Sequence, residues 1–257
     1  WLVLATSYSG GTEETLDAVK EAISGGGTIV GICSGGELEE VLADSEESVC
    51  LNVPSGQMPR SAFGHIFGTQ LSACWSLGLL PEPSEEEITE MLQRLSTVSS
   101  DADLSGNSGM TATLSRSLVG KELGIVSPTC LGPAAYRFSC QLNENSAKFA
   151  RATEVPEMNH NEIVAWTGSA SENSALLLLS CEGLHPRTDS RIEWMLDEVE
   201  ATPTWVIECE GESLLERLLF AAHVSDWISI GLAVLTREDP SDMPAIESLK
   251  SHLASVQ

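Results

Sequence analysis

The strongest candidates for chemistry lie between Glu144 and Trp166. The stretch reads E-N-S-A-K-F-A-R-A-T-E-V-P-E-M-N-H-N-E-I-V-A-W, and its polar residues follow neither the helical nor the strand period. Asn159, His160, Asn161 and Glu162 sit consecutively between Pro156 and the apolar run Ile163, Val164, Ala165, Trp166. Upstream, Asn143-Glu144-Asn145 closes an amphipathic segment. One carboxylate and one imidazole carried on loops at element ends suit general acid–base work. The same residues also suit a plainer reading, a solvated carboxylate at a helix end and a surface or capping histidine. Taken alone they leave both open.

A second candidate stands near the start. Ser7-Tyr8-Ser9-Gly10-Gly11-Thr12 joins a strand-like run to the start of a helix. Its glycines let backbone N–H groups face a ligand, its hydroxyls donate to oxygens, and the helix N-terminus adds partial positive charge. Physically this is a phosphate cradle. It is equally an ordinary Gly/Ser turn with Thr12 as a helix cap and Glu13 and Glu14 in the favourable first turn. No Gly-Lys-Ser/Thr follows, and the glycines do not space as G-x-G-x-x-G.

The elements that must position these groups alternate. Strands are expected over 2–6, 28–33 and 48–53. A helix with Leu16, Val19 and Ile23 on one face follows the first strand, a short helix spans 37–43, and Pro59 opens a longer helix to about 77. Pro81-Glu82-Pro83 breaks the chain, and Ser84 with Glu87 forms a capping box ahead of Ile88, Met91, Leu92 and Leu95. The polar stretch 96–108 reads as a linker or surface loop. Strands at 123–126, 175–180 and 205–207 then alternate with helices at 134–142, 190–199 and 214–235, and a last amphipathic helix carries Ile246, Leu249 and Leu253. Apolar strands alternating with helices predict an α/β fold with parallel sheets covered on both faces. The domains expected are 1–81, a helix and linker over 82–120, and 121–257.

The net charge of −25 excludes nucleic acid and anionic membrane as partners and matches proteins adapted to high salt. Only four lysines are present, Lys20, Lys121, Lys148 and Lys250, so each has a raised prospect of a specific task. An anionic ligand would need a local pocket of backbone N–H groups and arginines. The longest unbroken apolar runs, such as 175–179, are far shorter than the about 20 residues that span a bilayer. Seven scattered cysteines form no C-x-x-C pair and read as small core residues in a reducing cytoplasm. His65, His223 and His252 read as packing or structural residues, and His185 as a loop residue that could line a cleft. Trp166, Trp194, Trp205 and Trp227 read as core or subunit contacts.

In combination these motifs are recognisable. S-Y-S-G-G-T-E-E-T resembles the phosphate loop of sugar isomerase (SIS) domains. P-S-G-Q-M-P-R-S-A-F-G, Q-L-N-E-N-S-A-K, E-V-P-E-M-N-H-N-E-I-V-A-W and the tail D-P-S-D-M-P-A-I-E-S-L-K-S-H-L follow in the order seen in archaeal-type bifunctional phosphoglucose/phosphomannose isomerases. The resemblance covers essentially the whole chain, and Q-L-N-E with N-H-N-E-I is its specific part. It implies two SIS-type domains, each a parallel sheet with helices on both faces. The first is incomplete at its N-terminus, because the chain opens on Trp1 directly into a strand and the family's first Gly/Ser loop is missing.

The resemblance also assigns roles. Ser7, Ser9 and Thr12 match the hydroxyls that hold the substrate phosphate. Arg60 matches an arginine near the reacting carbons, Glu144 the base that moves a proton between C1 and C2, and His160 the histidine that assists ring opening from a partner subunit of a homodimer. Lys250 matches a C-terminal lysine that reaches the site. The implied reaction interconverts glucose 6-phosphate and mannose 6-phosphate with fructose 6-phosphate, without metal or cofactor. Gly11 departs from the asparagine usual in the family's loop. Two rival readings are a non-catalytic sugar-phosphate-binding module, which needs the serine loop but not Glu144 and His160, and an isomerase of another phosphosugar such as an aminosugar.

Overall fold

A computed structural model describes residues 1–106, 108–168, 173–200 and 202–256. They divide into two compact units, Trp1–Ser84 and Glu85–Gln257.

In the first unit, β1 (Leu2–Thr6), β2 (Thr28–Cys33) and β3 (Ser48–Asn52) form a parallel sheet in the order β1-β2-β3, with Thr6 beside Ile32 and Cys33 beside Asn52. Helices α1 (Glu13–Ser24) and α2 (Glu37–Ala43) bury Leu16, Val19, Leu38 and Leu42 against Ala5, Ile29 and Cys33. This reproduces the alternation read from the sequence. Helix α3 (Phe63–Ser76) begins four residues after Pro59, because Met58 to Ala62 first make a turn in which the Ser61 and Ala62 N–H groups donate to the Met58 carbonyl. His65 lies exposed on α3, so the packing role expected of it is not met within this chain.

The second unit carries β4 (Glu122–Pro128), β5 (Ala150–Val155), β6 (Ser174–Ser180) and β7 (Thr204–Glu208), all parallel, in the order β5-β4-β6-β7. Its helices are α4 (Glu85–Ala102), α5 (Met110–Leu118), α6 (Gly132–Ser146), α7 (Ile163–Trp166), α8 (Pro186–Glu198), α9 (Leu214–Thr236) and α10 (Pro244–Leu253). Side chains alternate along the strands, so the sheet has two cores. Ile125, Leu177 and Leu179 face α6 and α9 through Phe138, Leu142, Val224 and Ile228. Val126, Leu176 and Leu178 face Met158, Ile163, Trp166, Ile192 and Met195. The Trp166 ring lies on bare backbone at Gly124, where a Cβ would stand 2.3 Å from a ring carbon.

Two sequence expectations change here. The stretch 96–108 is not mainly a loop. Helix α4 runs to Ala102, because Leu95, Val98 and Ala102 continue its apolar face at helical spacing and pack into the second unit's core. That helix and α5 fall within the second unit, Glu85–Gln257. Strand β5 falls inside what reads as a polar central loop. Helix α9 has the length and hydropathy of a bilayer-crossing helix, but it is a core helix. Phe220, Val224, Ile228 and Leu232 are buried, and its charged residues pair within the protein.

One such pair fixes the start of α9. The almost inaccessible Glu216 carboxylate receives Arg94 Nε at 2.6 Å and Nη2 at 3.0 Å, and the Glu212 N–H at 3.0 Å. The Arg94 hydrogen bond holds the Glu216 carboxyl below its ordinary value, against an opposing cost of burial. A depressed carboxylate contributes stability that is complete above the unfolded-state value of about 4.3 and is lost as pH falls through the folded-state value. Glu216→Gln is therefore expected to lower the urea midpoint at pH 7 and to flatten its decline below about pH 4.3. An undiminished decline would assign the acid sensitivity to other carboxylates.

Candidate active site

The phosphate-loop candidates lie at the carboxyl end of β1, where an open parallel sheet presents its ligands. Ser7 is buried and its Oγ is 2.8 Å from Thr12 Oγ1. Thr12 holds the N-cap position of α1 in an extended conformation, yet its hydroxyl bonds to Ser7 and not to the helix. The capping role read from the sequence is thus replaced by a bond that closes the loop. The Gly11 N–H donates to Ser9 Oγ at 3.3 Å, and Ser9 and Thr12 are exposed. A second glycine turn supports this one. Gly10 has φ +67° and a Cβ there would stand 1.8 Å from the Gly35 carbonyl oxygen. Gly36 has φ +81° and its Cβ would meet the Ser9 carbonyl at 2.4 Å. Two backbones therefore meet with no side chain between them. Arg60, half-buried in the turn before α3, belongs to the same unit.

Glu144, His160 and Lys250 belong to the second unit. Glu144 sits half-buried in the last turn of α6, one residue from each of two anchors. Asn143 pairs with the backbone of Ala150, Nδ2 donating to its carbonyl at 3.1 Å and Oδ1 accepting its N–H at 3.0 Å. This ties the end of α6 to the start of β5 across the left-handed Ala147. Asn145 Nδ2 donates to Ser229 Oγ at 2.8 Å. Further along the same face, Arg137 Nη1 and Gln141 Nε2 both reach Asp226 Oδ1, at 2.5 Å and 2.6 Å, and Arg137 Nη2 reaches Oδ2 at 3.0 Å. Residues 137, 141 and 145 recur at helical spacing, so this polar seam sets the roll of α6 against α9. Asn143→Ala removes two bonds worth about 1 kcal/mol each. We expect a modest fall in melting temperature and a roughly tenfold lower kcat at unchanged KM, read by steady-state kinetics.

His160 closes a short helical turn, Glu157–His160, and is exposed. The turn is braced on both sides. Asn161 Nδ2 donates to Glu157 Oε1 at 2.9 Å. Glu162 binds Arg151 at 3.0 Å and accepts from Trp166 Nε1 at 3.4 Å, with the Arg151 guanidinium 5.7 Å from the Trp166 ring centre. Glu162, one of four consecutive polar residues in the sequence, is thus a structural anchor. The Asn159 amide is buried, and neither its oxygen nor its nitrogen has a partner among the described residues. α6, which carries Glu144, and the turn that carries His160 pack on opposite faces of the sheet. Lys250 is exposed on α10, no residue of which is buried.

The remaining candidates resolve as follows. His185 caps α8, its Nδ1 accepting the Arg187 N–H at 3.1 Å. His223 is half-buried beside Trp227, and burial pulls its pKa down, with Arg137 adding to that and Asp226 opposing it. His252 is exposed, against its expected structural role. Trp166 is core, whereas Trp194 is exposed. All seven cysteines are free, and burial pushes the Cys209 thiol up to about 12. Sequence reasoning named Asn143 only as a neighbour of Glu144 and did not single out Gln141, Asp226 or Arg151. For Gln141 and Asp226 the signal was a polar residue on a helix face that is otherwise apolar, whereas Arg151, exposed on β5, gave none.

Residues 109–253 match the bacterial phospho-glucose isomerase C-terminal SIS domain. The chain is 32% identical over its whole length to a bifunctional phosphoglucose/phosphomannose isomerase of Caldicellulosiruptor bescii, covering 77% of that protein. It is 30% identical over 98% of its length to the enzyme of the same name from Thermoplasma acidophilum, covering 76% of it. In structure it resembles glucosamine-6-phosphate deaminase from Thermotoga maritima, with a TM-score of 0.69 over 95% of this chain and 73% of that one. At 15% identity that likeness shows the fold alone. On the strength of the sequence matches, the chain belongs to the bifunctional phosphoglucose/phosphomannose isomerase family.

Proposed function

We propose that this chain is an aldose–ketose isomerase that interconverts glucose 6-phosphate and mannose 6-phosphate with fructose 6-phosphate. It works through a cis-enediol, as two SIS-type domains in a homodimer. The observation that carries the reading is the similarity to enzymes of that name over nearly the whole of this chain, joined to a Glu144 borne on an anchored helix end. The helix end that carries it is held by Asn143 on one side and by the α6–α9 seam on the other, which gives a proton carrier between two adjacent carbons a fixed base.

Ser7, Ser9 and Thr12 hold the phosphate with the N–H groups of their loop. These donors must outweigh Glu13 and Glu14 in the first turn of α1. Isomerisation needs the open-chain sugar, so a proton must reach the ring oxygen as the anomeric hydroxyl loses one. An imidazole does both, and we assign this step to His160 of the partner subunit. Two observations support that assignment. The elements bearing Glu144 and His160 cover opposite faces of one sheet, and the buried Asn159 amide beside His160, without a partner among the described residues, is the kind of group that assembly or ligand satisfies. The Glu144 carboxylate then takes the C2 proton and returns it to C1 on the same face. Arg60 stabilises the negative charge that grows on the enediol oxygens, and Lys250 adds a second cation. C2 becomes planar in the enediol, so glucose and mannose 6-phosphates share one intermediate.

The test is turnover of both aldose phosphates to fructose 6-phosphate in a coupled assay, with glucosamine 6-phosphate as a third substrate. We expect turnover of the first two. Binding of all three without turnover would leave a sugar-phosphate-binding module, and turnover of the aminosugar alone would move the substrate class.

A further inference from the structure

Tyr8 lies inside the serine loop, between two residues given to the phosphate, and its own side chain turns away to another loop. Its hydroxyl donates to the Pro54 carbonyl at 3.0 Å and accepts the Gln57 N–H at 3.0 Å. Its backbone carbonyl accepts from the Ser34 N–H at 2.8 Å and from Ser34 Oγ at 2.7 Å. One residue thus joins the loops that leave the carboxyl ends of β1, β2 and β3. The third of these loops ends in the Met58–Ala62 turn that carries Arg60. Arg60 therefore sits in a turn that is closed on itself, at the end of a segment tied to β2 through the Val53 N–H and the Cys33 carbonyl and to the serine loop through the Tyr8 phenol.

We propose that Tyr8 is a positioning residue that couples the phosphate loop to Arg60, so that the guanidinium stands at a set distance from the bound phosphate. The proposal rests on the role given to Arg60 above. The hydroxyl spends its proton on Pro54 and a lone pair on Gln57, so its bonding is directed to the loop and not to a substrate. Pro54 and Gln57 are exposed, and water replaces the phenol there at small cost to stability. What water does not replace is the fixed geometry, and a misplacement of about 1 Å costs about a hundredfold at most in such sites.

Tyr8→Phe keeps the ring and removes both bonds. We expect a roughly tenfold lower kcat, KM and inhibition by inorganic phosphate each within about threefold, and a melting temperature within a few degrees. The deciding experiment is a double-mutant cycle with Arg60→Ala. If Tyr8 acts through Arg60, Tyr8→Phe has no further effect on kcat in the Arg60→Ala background. An equal loss in both backgrounds, or full activity in Tyr8→Phe, overturns the proposal. Amide hydrogen exchange supplies a readout that needs no turnover. Peptides over 53–60 should exchange faster in Tyr8→Phe while those over β1 and β2 do not change. If the unmodified protein turned over no sugar phosphate, the isomerase reading would fail. Unchanged exchange over 53–60 would instead overturn the role of Tyr8.

Discussion

Glu144→Gln is expected to lower kcat by about a thousandfold on glucose 6-phosphate and mannose 6-phosphate alike, with KM within about threefold. The amide has the shape of the carboxylate but is neutral and cannot carry a proton. Its neighbours Asn143 and Asn145 would still fix the end of α6 through Ala150 and Ser229, so the fold should not move. Equal loss on both substrates matters as much as its size. One base serving one enediol must fail for both, whereas a variant that kept either substrate would show a second base. Exchange of solvent deuterium into the product at C1 or C2 should fall with kcat.

The second large effect is expected at Gly10. Gly10→Ala puts a Cβ at φ +67° and 1.8 Å from the Gly35 carbonyl oxygen. A left-handed backbone bearing a side chain costs about 1–3 kcal/mol by itself. The contact with Gly35 cannot be relieved by a rotamer change, because both partners are backbone. The two glycine turns must separate, and with them the donors of Ser9 and Gly11 move away from the bond between Ser7 and Thr12. We expect at least a tenfold rise in KM for sugar phosphates and a loss of stability of about 3 kcal/mol, read by steady-state kinetics and urea unfolding. Ser9→Ala, which removes one exposed hydroxyl and leaves the backbone alone, should raise KM with no loss of stability. Normal KM in Gly10→Ala would remove the loop from phosphate binding.

Much of this architecture is legible in the chain itself. Strands β2 and β6 are continuous apolar runs between glycines and serines, and α2 follows its glycine turn over Glu37–Ala43 as read. The serine loop is recognisable because hydroxyls and glycines crowd between a strand and a helix start. Strand β5 is not legible, because it is an edge strand. Arg151, Thr153 and Glu154 are left with little to bury, and only Ala150 and Val155 are fully inside. Helix α5 is hidden for a related reason. Its nine residues are rich in Ser and Thr, and its buried hydroxyls bond to carbonyls, Thr111 to Ala102 and Ser115 to Thr111. The site divides in the same way. The residues proposed to touch a ligand stand out by type, whereas Tyr8, Asn143 and Glu162, which brace the elements that carry them, are ordinary residues whose partners lie up to 49 positions away.

The stacking of Trp166 on Gly124 has a bearing on heredity. Each residue occupies room that the other leaves, so neither can drift alone: any side chain at 124 collides with the indole, and any smaller ring at 166 opens a hole over the strand. Among descendants of this chain the two positions should change together or not at all. Arg151, which lies over the same indole, and Glu162, which binds both, share that constraint. The four form a unit of inheritance that links β4, one of the two central strands of the sheet, to the turn bearing His160. A lineage that replaced the indole would need a new brace for that turn.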